Sequence, residues 1–156
     1  MKSIALVLVL AFVLAGVAAA VSTTATLPSL TVNTSSDLRF GGTVSFTGVY
    51  PQTARQKVGQ QQPWNPVVQL NCSQSGTMVF QQSNVIMADE RNNHDGTWTG
   101  VTYPVTLSAN SGFGIVWPGG AADCSASLYY WSKDPHTGAL ILNFVAGTNF
   151  SVAAAG

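Results

Sequence analysis

Two cysteines, two histidines and six acidic side chains are the scarce residues through which this 156-residue chain could do thiol, acid-base or metal chemistry. Cys72 and Cys124 have no Cys or His nearby at ligand spacing, so neither belongs to a recognisable four-ligand zinc set. An even pair in an oxidising compartment reads as a disulfide; two free thiols or half a metal site are the alternatives. His94 and His136 both fall in turn-like segments. A Ser-His-Asp set can be written from His94, Asp95 and one of many serines, but no G-x-S-x-G elbow supports it. Solvated turn histidines are the better reading, and no catalytic residue is assigned. Asp89, Glu90 and Asp95 suggest a carboxylate pair or a calcium loop. In "RNNHDG", however, Arg91 occupies the first ligand position and no glutamate closes the loop. The stretch reads as a hydrated turn, with no metal and no cofactor expected.

Aromatic side chains are the other candidates. Trp64, Trp98, Trp117, Tyr129 and Trp131 fall at strand ends or in loops of the predicted pattern. Flat rings stack on sugars or anchor a protein partner; otherwise they cover the open ends of a β-fold. In "DCSASLYYW", Cys124, Ala126, Leu128 and Tyr130 share one face. Ser125, Ser127, Tyr129 and Trp131 share the other. Tyr129 and Trp131 therefore form a candidate binding face. Trp64, in the loop "ARQKVGQQQPWNP", either joins that face or packs over it. Sequons begin at Asn33, Asn71 and Asn149 and matter only in a glycosylating host.

The elements that position these residues are strands. Beyond the N-terminal segment no stretch sustains a 3.6-residue period, and short period-two runs alternate with Gly, Pro, Asn and Asp clusters. A first strand is predicted around Leu30–Val32. "TVSFTGVY" follows, with Val44 and Phe46 inward. "VVQLNC" places Val68, Leu70 and Cys72 on one face, and "SQSG" turns it into a hairpin with "TMVFQQ". "DERNNHDGT" reads as an exposed connection. "TYPVTLS" puts Tyr103, Val105 and Leu107 on one side, with Pro104 forcing an edge or a bulge. After "DCSASLYYW" and the turn "KDPHTG", "ALILNFVAGTNFSVAA" closes the chain as one long strand, or two with a break at Gly147. The predicted core is Val44, Phe46, Val68, Leu70, Val105, Leu107, Leu128, Tyr130 and Phe150. About seven to eight short strands predict an all-β sandwich.

Both cysteines fall on inward faces, one ending its strand and the other beginning its own. If those strands are antiparallel neighbours, or face each other across a sandwich, the sulfurs can meet.

The compartment follows from the first residues. Lys2 precedes an apolar run from Ile4 to Val21 that ends in Ala18-Ala19-Ala20, the pattern of a cleavable signal peptide. Residues 1–20 are assigned as a signal helix, 21–29 as a short linker and 30–156 as one domain. A retained membrane or filament-core helix is the rival; no basic stop-transfer cluster follows, since the next basic residue is Arg39. Six basic and six acidic residues become five and six without Lys2, a net charge of −1. Nucleic acid and anionic membrane surfaces are therefore poor partners. Charged residues are only 8% of the chain, so uncharged polar groups keep the surface wet, as suits an extracellular β-protein.

"CSQSGTMVF", "WPGGAADCSASLYYW" and "NFVAGTNFSV" resemble small secreted bacterial immunoglobulin-like domain proteins, a group without an established biochemical activity. The densest match is Trp117, Gly119, Gly120, Ala122, Asp123, Cys124, Ala126 and Leu128. The resemblance implies an immunoglobulin-like sandwich with Cys72 bonded to Cys124. It departs from antibody domains: Ala122 stands where they carry a tyrosine, and Cys72 leads straight into a hairpin, which places it on the third strand. The expected function is a secreted or cell-surface module that is not an enzyme and acts by binding protein or carbohydrate, or as a surface component. The alternative is a pilin-like filament subunit that keeps its apolar N-terminal helix.

Overall fold

The computed structural model describes residues 26–33, 38–55, 65–111 and 114–156; the assigned signal helix, most of the linker and Trp64 lie outside them. The described chain is nearly all strand: β1 (Ser29–Asn33), β2 (Thr43–Pro51), β3 (Val67–Gln74), β4 (Thr77–Asn92), β5 (Thr97–Thr102), β6 (Val105–Thr106), β7 (Ala122–Lys133) and β8 (Leu140–Val152). A single 3-10 turn, Gln52–Arg55, follows β2. Among the described residues no helix is long and apolar enough to cross a membrane.

All named strand pairs are antiparallel, in the order β1-β2-β5-β4-β3-β7-β8, with β6 added to β2. The sheet curls because β4 belongs to both halves. Its first part pairs with β3 and its last part with β5. The curled sheet wraps one core, to which both halves contribute buried residues. At the closing edges Arg39 bridges Ala153 in parallel sense, and the Phe40 N–H donates to the Ala153 carbonyl at 2.9 Å.

Bulges produce the curl. Register slips opposite Gln69, between Cys72 and Ser73, and between Ala88 and Arg91. Asn84 and Asp89, at two of these slips, take left-handed backbone angles of 59° and 44°. Asn and Asp tolerate that region better than other side chains do, and each extra residue bends the strand and adds twist. Each slip also resets the alternation, so Val79 and Phe80 are both buried and Val85 and Met87 then resume a period of two. For this reason the predicted partner strand "TMVFQQ" is only the first part of a 16-residue strand. "DERN" is the end of that strand rather than a connection; the turn is confined to residues 93–96.

β5 was not anticipated. Its inner face carries Trp98 and Gly100, opposite Tyr50 and Gly48 of β2. Its outer face carries Thr97 and Thr99, buried beneath Asn93, whose Nδ2 donates to both hydroxyls at 2.9 and 3.0 Å. A strand whose buried residues are threonine and glycine leaves no apolar alternation to read. The predicted run "TYPVTLS" is divided accordingly: β5 ends at Thr102, Pro104 interrupts, and β6 pairs briefly at the start of β2. Leu107 is buried, Val105 half-buried, and Tyr103 is 64% exposed, so Tyr103 does not share their face.

The core holds Val44, Phe46, Val68, Leu70, Leu107 and Leu128 at 0–1% exposure, with Val105, Tyr130 and Phe150 packed at its margin. Trp117 closes one end, between Phe40 and Phe80, and its indole N–H donates to the Gly120 carbonyl at 2.9 Å. Near the other end lies a polar cluster. Glu90 accepts the Tyr50 hydroxyl and pairs with Arg55 at 2.9 Å, and the Arg55 guanidinium lies 4.1 Å from the centre of the Trp98 ring.

Candidate functional site

The cysteines end up opposite each other. Cys72 on β3 is the register partner of Cys124 on β7, both are buried, and they are joined by a disulfide. The bond links neighbouring strands of one sheet half, and Cys72 lies on the third strand. Short-range alternation put both sulfurs inward; antiparallel pairing then set the end of one strand beside the start of the other.

The same pairing builds a continuous outer face across β4, β3, β7 and β8. At one level Ile86, Val67, Tyr129 and Phe144 stand side by side. The next level holds Trp131 beside Leu142, and the next Lys133 beside Leu140. Tyr129 and Phe144 meet edge to face, with ring centres 5.7 Å apart. Phe144 is 61% exposed, Leu140 47%, Ile86 46% and Leu142 39%. Tyr129 and Trp131 are both half-buried, Tyr129 in part against Phe144, and their register partners place them on the outer face that the alternation predicts. Sequence reasoning missed Phe144, Leu142, Leu140 and Ile86. Their alternation with Ile141 and Asn143 was available, but both sides of β8 are apolar at this end, and an extra residue at Val145 shifts the pairing between Leu128 and Tyr129.

Towards the other end of the same face the side chains become short and polar. Asn71, Ser125 and Asn149 form one level, and Ser73, Asp123 and Ser151 the next. With Met78 and the intervening backbone of Cys72, Cys124 and Phe150 they line a shallow hollow of about 530 Å³. Asp123 accepts a hydrogen bond from Ser151 at 3.1 Å, and the Asn71 Oδ1 is buried without a hydrogen-bond partner.

The remaining chemical candidates are engaged elsewhere. One Asp95 oxygen accepts from the Thr97 N–H and hydroxyl at 2.9 and 2.6 Å. The other accepts from the Thr26 N–H and hydroxyl at 2.7 and 2.6 Å. The Thr26 and Thr97 bonds hold the Asp95 carboxyl well below its ordinary range. A carboxylate occupied in this way is a clasp between the segment before β1 and the β4–β5 turn. His94, beside it, donates its backbone N–H to Asn92 Oδ1 at 2.8 Å. Asp134 caps the β7–β8 turn by accepting the N–H groups of His136 and Thr137, which lowers its pKa. Among the described residues no three His, Cys, Asp or Glu side chains gather at metal-binding distance. Trp98 and Trp117 pack against the core rather than forming a ring platform. The site is therefore a surface, apolar at one end and hollow and polar at the other, mounted on disulfide-linked strands. Comparison of the chain with protein-family models, with curated proteins and with solved structures finds no match.

Proposed function

We propose that this protein is an exported, non-enzymatic binding module of immunoglobulin-like architecture that engages a protein partner through the outer face of β3, β4, β7 and β8. Three features support the architecture. The strand order divides into β1-β2-β5-β4 and β4-β3-β7-β8, β4 passes between the halves, and the chain after β1 runs parallel beside the end of β8. Export is supported by the disulfide, the uncharged polar surface and the apolar leader.

The observation that carries the binding reading is the exposed apolar set Ile86, Phe144, Leu142 and Leu140 on this outer face, with Tyr129 and Trp131 half-buried beside it and Val67 buried in the same row. Soluble proteins expose apolar residues singly, whereas a contiguous patch with a polar surround marks an interaction surface. Rings set among aliphatic side chains match the anchors of protein interfaces better than an isolated sugar platform does.

The double variant Tyr129→Ser with Trp131→Ser tests this. It should change stability by only about 1 kcal/mol, the size of an aromatic contact plus a surface substitution. It should also abolish capture of a partner from the source's extracellular medium, while Val49→Ser on the opposite outer face leaves capture intact. Unfolding of the double variant would make the rings structural and end the binding-face reading.

A further inference from the structure

Resting on that reading of the outer face, we infer that its partner includes a second copy of this chain, docked face to face and antiparallel. The outward residues of β7 are Asp123, Ser125, Ser127, Tyr129, Trp131 and Lys133, and their alternation is unbroken along the strand. The series is self-complementary when reversed. Consider a two-fold axis between the sheets, at right angles to β7 and passing over Leu128. It sets Lys133 over the other copy's Asp123, Trp131 over its Ser125 and Tyr129 over its Ser127. Every contact occurs twice, as an isologous interface requires.

Charge and shape agree on this register. Lys133 and Asp123 are both exposed and sit about 33 Å apart along the strand, at the two ends of the face. Reversal therefore brings opposite charges together at both ends, inside one Debye length of about 8 Å. No charged residue occurs from Ala139 to Gly156, so β8 faces its copy without repulsion. The ridge formed by Trp131 and Leu142 lies level with the hollow between Asn71, Ser125 and Asn149 of the reversed copy, whose volume of about 530 Å³ is open to the surface. Large side chains occupy one half of the face and serines the other, and only the reversed register sets ridge into hollow. The Asn71 Oδ1, buried and unpartnered in the single chain, lies in the wall of that hollow.

Sedimentation equilibrium of the protein as processed and secreted by its host is the test. The expected result is a dimer at micromolar concentration. Ser125→Trp, which fills the hollow, should raise the dissociation constant more than tenfold. Lys133→Asp and Asp123→Lys should each raise it about fivefold, within the range of rim charge pairs counted twice. Carrying both reversals in one chain should restore the wild-type value, because each charge again meets its opposite. If Ser125→Trp lowers the thermal midpoint of the protein, Ser127→Arg replaces it at the next level. A dimer indifferent to the hollow, or reversals that do not rescue each other, overturns the register. A monomer at all concentrations overturns the inference. A monomer that still captures another partner through Tyr129 and Trp131 leaves the binding reading standing, so the two failures are distinguishable.

Discussion

At the scale of single residues the largest commitment is Glu90. Its side chain is 9% exposed, and it holds both the Arg55 guanidinium and the Tyr50 hydroxyl. A buried carboxylate is tolerable only while such partners remain. Glu90→Ala should cost about 3 kcal/mol, the lower end for breaking a buried pair, since Arg55 keeps some access to water. Urea denaturation would read it, and a loss below about 1 kcal/mol would mean that the cluster is solvated and incidental. Tyr50 adds a pH dependence. Burial, the hydrogen bond to Glu90 and the Glu90 charge all raise its pKa far above the ordinary tyrosine value. The folded state therefore keeps a proton that the unfolded state loses. Stability from this group is intact below pH about 10 and falls as pH rises above it. Tyr50→Phe should flatten that alkaline fall; an unchanged slope would assign it to other groups.

At the scale of elements, closure of the curled sheet depends on a glycine pair. Gly48 and Gly100 face each other across β2 and β5 on the core side. A Cβ on Gly48 would come within 2.5 Å of the Met87 Cε and 2.9 Å of the Leu128 Cδ2. Gly48→Ala should cost about 1–3 kcal/mol through overpacking, despite the better strand propensity of alanine. A neutral or stabilising result would show that Met87 swings aside freely. The β3–β4 hairpin was the most readable element, and the reason is local. Ser75 and Gly76 form its two-residue turn with φ of 48° and 80°, and Gly in "SQSG" signals that conformation directly. β5 and the far part of β4 were unreadable for the opposite reason. Bulges at Asn84 and Asp89 cut the alternation of β4 to the short piece Val85–Met87, and β5 buries threonines satisfied from Asn93, which carry no hydrophobic period.

For the whole molecule the disulfide is the main staple. It joins residues 52 apart in sequence, which corresponds to roughly 4 kcal/mol of unfolded-state constraint for such a loop. Domains are stable by about 5–15 kcal/mol, so this is a large share. Cys72→Ala with Cys124→Ala should lower thermal stability sharply while leaving the β-sheet circular dichroism of the folded state unchanged. Retained wild-type stability would place the staple's role elsewhere, for instance in resisting proteolysis. The bond lies directly beneath the polar hollow, because Cys72 and Cys124 alternate with Asn71, Ser73, Asp123 and Ser125. It holds β3 and β7 in the register that the outer face requires.

The sequence by itself determined what period two and turn chemistry determine. It specified an all-β chain, two cysteines facing inward, most of the core from Val44 to Leu128, and Tyr129 and Trp131 pointing away from it. Each follows from residues within a few positions of one another. Tertiary structure decided which strands became neighbours. That choice put Cys72 beside Cys124, divided β4 between two halves, and aligned Ile86, Val67, Tyr129 and Phe144 into one row. Rows across a sheet run perpendicular to the chain, so their members lie tens of residues apart and share no local signal. A one-residue slip would have sent half of them inward. Register, fixed by bulges and by closure of the core, is the physical quantity that converts scattered apolar residues into a surface.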